Sequence, residues 1–173
     1  MPQILRIPHL VEGAVDLLVE RLQQELPNAL LAVAQFHAPG GESDGVDTPP
    51  PDPDRYLISE LLEPVRVPSV FVIPRNTDHD LERGQNFFDQ DHDTLIGVVM
   101  DNAQSIQILQ RQVWRYAQAL VIALHDANIG PLHVLVRSVA YSPTLNIRNG
   151  AGDRVFRKDC TLRCRVMHLE AFN

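Results

Sequence analysis

Residues 101–131 read DNAQSIQILQRQVWRYAQALVIALHDANIGP. Ile106, Leu109, Val113, Tyr116, Ala117, Leu120 and Leu124 recur at steps of three and four, which stacks them on one face of an α-helix. Asp101 and Asn102 are expected to cap its start, because short polar side chains accept the unpaired N–H groups of a first turn. Asn128 and Gly130 tolerate the left-handed backbone that ends a helix, and Pro131 bars its continuation. Apolar, alternating segments flank this helix: TLIGVVM at 94–100 and LHVLVRSVAY at 132–141. The unit reads strand, helix, strand.

Toward the N-terminus a second helix is expected from His9 to Leu26. Leu10, Ala14, Leu17, Leu18 and Leu22 mark one face, and Glu12, Asp16, Glu20, Arg21 and Gln24 the other. Pro27 is expected to stop it, leaving ALLAVAQFHA at 29–38 as a strand. VPSVFVI at 67–73 reads as a strand lying centrally in a sheet. Toward the C-terminus, Asn149-Gly150 is a hairpin signal. VFRKDCTLRCRVMHLEAF closes the chain as the clearest strand, with Phe156, Cys160, Leu162, Cys164 and Val166 on one face and Arg157, Asp159, Thr161, Arg163 and Arg165 on the other. The expected fold is α+β: an antiparallel or mixed sheet of about four to five strands, packed by a long central helix and an N-terminal helix. Residues 1–173 are expected to form a single domain with exposed acidic loops at about 38–55 and 75–93.

The acid is concentrated in those loops. From Glu42 to Asp93 there are 13 Asp and Glu against 4 Arg, within a chain of net charge −7. Residues 39–54, PGGESDGVDTPPPDPD, hold almost no apolar side chain and read as a mobile loop. The strongly basic face that dominates DNA binding is absent. Of the 15 basic residues, 14 are Arg, whose planar fork suits bidentate contacts.

No catalytic constellation is legible. Asp78-His79-Asp80 and Asp91-His92-Asp93 have metal-ligating side chains, but each lies in an acidic loop without an apolar frame to fix its geometry. His125-Asp126 resembles the pair used by metal phosphohydrolases, but it falls at a helix C-terminus, and such a site needs further His and Asp on other helices in a chain that reads mostly as strand. Ser69, Ser105, Ser138 and Ser142 lack a nucleophile-elbow context, and there is no Gly-rich phosphate loop. Trp114 and Tyr116 read as packing residues of the central helix. Cys160 and Cys164 are about 13 Å apart on a strand, too far for a disulfide with each other, and read as buried apolar residues. No catalytic, metal or cofactor site is expected. No apolar run is long enough to span a membrane, and no signal pattern opens the chain, so a cytoplasmic location is expected.

The order of elements, with PSVFVIP, TLIGVVMDNAQSIQILQRQVWRYAQALVIAL and the final pair SVAYSP…VFRKDCTLRCRVMHLEA, resembles the tail terminator, or tail-tube completion, proteins of long-tailed bacteriophages and related neck proteins. The resemblance implies a non-enzymatic virion subunit in a hexameric ring that caps the tail tube and joins it to the head connector. It implies tube and connector proteins as partners, no cofactor, and assembly in the host cytoplasm. DNA would pass through the lumen without sequence-specific contact. The candidate interface is Arg157, Arg163 and Arg165 with Asp89, Asp91 and Asp93, since a head-to-tail ring joins two different patches. The alternatives are a small metal-dependent hydrolase using the Asp/His loops and a monomeric bacterial adaptor domain.

Overall fold

The computed structural model describes residues 10–39, 44–58, 66–80, 87–148 and 152–171; side chains are described for these except at 10, 77–80, 87–90 and 168–171. The chain forms helix α1 (Leu10–His37), a short 3-10 turn (Pro53–Arg55), strands β1 (Tyr56–Leu57), β2 (Ser69–Asp80) and β3 (Phe87–Asn102), and helix α2 (Ile106–Leu124). Strands β4 (Ala127–Ile129), β5 (Leu132–Tyr141), β6 (Leu145–Arg148) and β7 (Arg154–Ala171) complete it. The α+β class holds. Among the described residues the sheet has seven strands rather than four or five, in the order β1-β2-β3-β7-β5-β4. Strand β6 pairs with β7 beyond the end of β5. All pairings are antiparallel except β1 with β2.

Strand β7 is the axis of the sheet. One edge pairs with β3 from Phe156 to Ala171, and the other takes β6 and then β5. Ser142 bridges the gap between β5 and β6: its N–H donates to the Asp159 carbonyl, and its hydroxyl accepts from the Asp159 N–H at 3.0 Å. Both helices cover the same face. Leu109, Val113, Tyr116, Leu120 and Leu124 meet Val70 and Val72 of β2, Ile96 and Val98 of β3, Val134 of β5, and Cys160, Leu162, Cys164 and Val166 of β7. The two-residue alternation of β7 is as expected, with Lys158 as an addition: it is buried on the core side, and its ammonium donates to the Ser142 carbonyl.

Three expectations are corrected. Helix α1 does not stop at Pro27 but runs through it to His37, so 29–38 is helix and not strand. The core-facing period continues past the proline as Leu22, Leu26, Ala29, Leu30 and Val33, all buried. Burial of that face outweighs the roughly 3 kcal/mol that an interior proline costs. The second acidic segment is not a loop: 75–80 and 87–93 are the paired ends of β2 and β3, with Asp78 opposite Asp91 and Asp80 opposite Asp89. The third correction concerns residues 44–51, which lie as a strap across α2. Val46, Thr48 and Pro51 are buried. Gln112 donates to the Asp47 carbonyl at 2.7 Å, Arg115 to the Val46 carbonyl at 2.9 Å, and the Tyr116 hydroxyl to the Pro49 carbonyl. Arg115 also pairs with Asp44, whose carboxyl it holds below the usual carboxylate range. A segment poor in apolar side chains is held here through its backbone carbonyls, which three side chains of one helical turn satisfy.

The caps of α2 also differ from expectation. Ser105 is the N-cap, accepting from the Ile108 N–H at 3.3 Å, while the Asn102 side chain accepts from the N–H groups of Gln104 and Ser105. The helix ends at Leu124, and the left-handed residue after it is Asp126 (φ 59°). Gly130 (φ 56°) serves instead the tight turn between β4 and β5. Asn149-Gly150 lies outside the described residues, although β6 and β7 on either side are paired.

Candidate functional site

Two surfaces emerge. The first is the face of the sheet turned away from the helices. Period-two alternation puts Asp91, Asp93 and Asp101 of β3 on that face beside Arg165, Arg163 and Arg157 of β7. Arg157 lies opposite Asp101 and grips both carboxylate oxygens, at 2.6 and 2.7 Å. Arg163 binds both oxygens of Asp93 at 2.9 Å. Arg165 reaches Asp91 at 2.9 Å. Those carboxylates hold all three guanidiniums above their usual pKa by hydrogen bonding. The Arg157 pair is largely buried, whereas the other two face water, where such a pair adds little to stability. The arginines expected to meet acids of another copy are thus engaged within their own chain. Asp89 sits in register with Leu169, and its side chain lies outside those described.

The same strands split the second metal-like triplet; the side chains of Asp78-His79-Asp80 lie outside those described. His92 is buried on the helix side while Asp91 and Asp93 stand on the opposite face with their arginines. Among the described residues no three His, Cys, Asp or Glu side chains come together as metal ligands. His125 closes α2 through its N–H to the Val121 carbonyl at 2.8 Å, and Asp126 lies 3.4 Å from His133. Cys160 and Cys164 are fully buried, and burial pushes each thiol up to about 12. A pKa raised in the folded state above the ordinary 9.0 costs nothing at neutral pH, and stability falls as pH rises from about 9 toward 12. Neither thiol should react with a thiol reagent in the native protein at pH 8, and both should react once urea unfolds it. Rapid native labelling of either would show that β7 opens.

The second surface was not foreseen. Ala32, Val33 and Phe36 of α1, Ala117, Gln118, Val121 and Ile122 of α2, and Val139 and Tyr141 of β5 line an apolar groove of about 530 Å³. Phe36 is 79% exposed, Ile122 60%, Tyr141 46% and Trp114, at the groove's mouth, 45%. Arg111 and His37 stand beside Trp114, and His37 Nε2 lies 3.1 Å from the Gln118 side-chain oxygen. The signal was present in the sequence: Trp114 and Ile122 fall on the α2 stripe that also holds Arg111, Gln118 and His125, opposite the core stripe. Trp114 is therefore not core packing, whereas Tyr116 is fully buried.

No protein-family model and no curated protein matches the chain. Among solved structures it is similar to a chain from the virion of a native gene transfer agent (GTA) particle, at 15% identity and a TM-score of 0.36, over 86% of this chain and 95% of that one. A likeness of that size carries no argument about function. None of the described helices is long and apolar enough to cross a membrane.

Proposed function

We propose that this chain is a structural subunit of a phage-like particle: a tail terminator or neck-region protein, acting as one domain and closing into a ring, with six copies expected from the resemblance set out above. The observation that carries this reading is the set of large apolar side chains left exposed around the groove, Phe36 of α1, Trp114 and Ile122 of α2 and Tyr141 of β5. Water-exposed aromatic and aliphatic groups gathered around a groove are the mark of a surface that another protein covers. The ladder face, with Arg157, Arg163 and Arg165 and Asp89, Asp91 and Asp93, is on this reading turned toward the tail tube or the lumen. The protein then works without metal or cofactor, in the virion, with tube and connector proteins as its neighbours.

The test is to purify the protein, measure its mass in solution, and mix it with phage-type tail tubes. The expected result is a closed oligomer seen at tube ends by electron microscopy. A protein that stays monomeric at high concentration and ignores the tubes would remove this reading in favour of an adaptor domain.

A further inference from the structure

Strand β5 keeps an open edge beside the groove. On one side it pairs with β7 from Leu132 to Tyr141, and on the other β4 covers only Leu132 to Val134. Among the described residues no strand takes the outer edge from Leu135 to Tyr141, about 20 Å of backbone at the usual rise. Arg137 to Tyr141 are all exposed. The register with β7 shifts between Val136 and Ser138, where Arg137 is the extra residue, and this bulge resets the alternation. Val139 then falls opposite Leu162 and Tyr141 opposite Cys160, so both stand on the helix side and wall the groove. Beyond the bulge, Ser138-Val139-Ala140-Tyr141 carries neither the charge nor the proline that commonly guards an edge. Strand β2, toward the other side of the sheet, carries Pro74 and Arg75.

We infer that the groove and this edge are one site, filled by an extended segment of a neighbouring protein that adds a strand to β5. This rests on the reading of the groove as a protein-covered surface and states what covers it. The edge offers a row of backbone N–H and C=O groups, which an extended chain meets in turn. A docked helix would use the apolar walls and leave the edge to water. The groove takes apolar side chains from every second residue of the added strand, between Val139 and Tyr141 on one side and Phe36 and Ile122 on the other. Charge marks the end near Trp114. Asp44, Arg111 and Arg115 stand there, with His37 turned to Gln118. Arg115 binds Asp44, so Arg111 is left in surplus, and a carboxylate on the incoming segment would meet it.

The probe is a displayed library of random peptides about nine residues long, enough to span the edge. Selection on the wild-type protein should enrich peptides with apolar residues at every second position and an Asp or Glu at one end. The strongest binder, made synthetically, should slow hydrogen exchange at the outward-facing amides of β5 between Ser138 and Tyr141. It should also shift the emission of Trp114, the only tryptophan, to the blue. Methylating alternate backbone nitrogens of the peptide in one phase should abolish binding, and in the other phase leave it, because one edge of the added strand faces β5. Ile122→Glu puts a charge at an exposed groove position, so the fold, checked by circular dichroism, should survive while affinity falls at least about tenfold, as for loss of a hot spot. Arg111→Glu should weaken the same peptide and favour one with Lys in place of its acid. Peptides enriched at the helical period, no enrichment at all, or unchanged β5 exchange in the bound state would overturn strand addition. Tail tubes separate this inference from the reading it rests on. A protein that caps tubes but selects no alternating peptide removes strand addition alone, and one that ignores tubes but binds such peptides removes the tail reading alone.

Discussion

Gly97→Ala is expected to lower the free energy of unfolding by about 3 kcal/mol or more, the upper part of the range for forcing an extra group into a packed interior. Gly97 lies in β3 opposite Thr161 of β7 and Phe71 of β2. A Cβ there would sit 2.3 Å from the Cys160 carbonyl oxygen and 2.4 Å from Cζ of Phe71. The first of these atoms is backbone and can withdraw only if β3 and β7 part. The second belongs to a ring that is itself buried, on the sheet face away from the helices. The clash is therefore not one that a side-chain rotation relieves. Phe71→Ala in the same chain should recover only part of the loss, since the carbonyl remains, and a double-mutant cycle would separate the two contributions. An urea midpoint for Gly97→Ala within error of wild type would mean that the β3–β7 ladder yields easily at its centre.

Replacing residues 44–51 by a Gly/Ser segment of equal length is expected to cost about 3–5 kcal/mol, although hardly any of the replaced side chains is apolar. Burial of Val46 accounts for about 1.5 kcal/mol or more. A Gly/Ser chain keeps the carbonyls but loses the buried Val46, the stiff prolines and Asp44, so it no longer stays in place, and Gln112, Arg115 and Tyr116 then lose their partners at the Asp47, Val46 and Pro49 carbonyls. Water would reach these donors once the strap is gone, so each loss is nearer the net value of about 1 kcal/mol than the full penalty for a buried unsatisfied group. Equal length removes loop closure as a cause. Burial raises the Tyr116 phenol, whose hydroxyl donates to the Pro49 carbonyl of the strap, so an absorbance titration offers an independent check: Tyr116 should ionise nearer the ordinary value of 10.0 once the strap no longer shields it. Thermal and urea unfolding unchanged within about 1 kcal/mol would show that the strap is an ornament of the surface.

The parts legible in the sequence are those fixed by local period. The α2 stripe, the alternation of β7 and the apolar runs of β2, β3 and β5 each stand out because one face is buried along an unbroken element. What was not legible depends on partners far away in the chain. Pro27 looks like a stop when read alone, and only the burial of Leu26, Ala29, Leu30 and Val33 shows why the helix continues. Residues 75–93 look like a solvated charge run, because nothing local reveals that Asp91 and Asp93 will lie beside Arg165 and Arg163, 74 and 70 positions on. The matched spacing of the two motifs, Asp-x-Asp on one strand and Arg-x-Arg on another, was the available signal, and it pointed to pairing within one sheet as readily as between copies. The strap could not be seen at all, because its anchors are backbone carbonyls, which every residue carries.

The central place of β7 has a consequence for how the chain is made. Its strand partners β3, β5 and β6 all precede it, so during synthesis each leaves the ribosome before the strand that joins them exists. Helix α1 can form early, but the apolar faces of β3 and β5 wait with open edges until Arg154–Ala171 arrives to zip between them. Contacts this distant in sequence are slow to form, and waiting edges are where nascent chains stick to one another. This late-made strand is thus the clasp, and a cell that produces this protein in bulk must keep many unclasped copies apart.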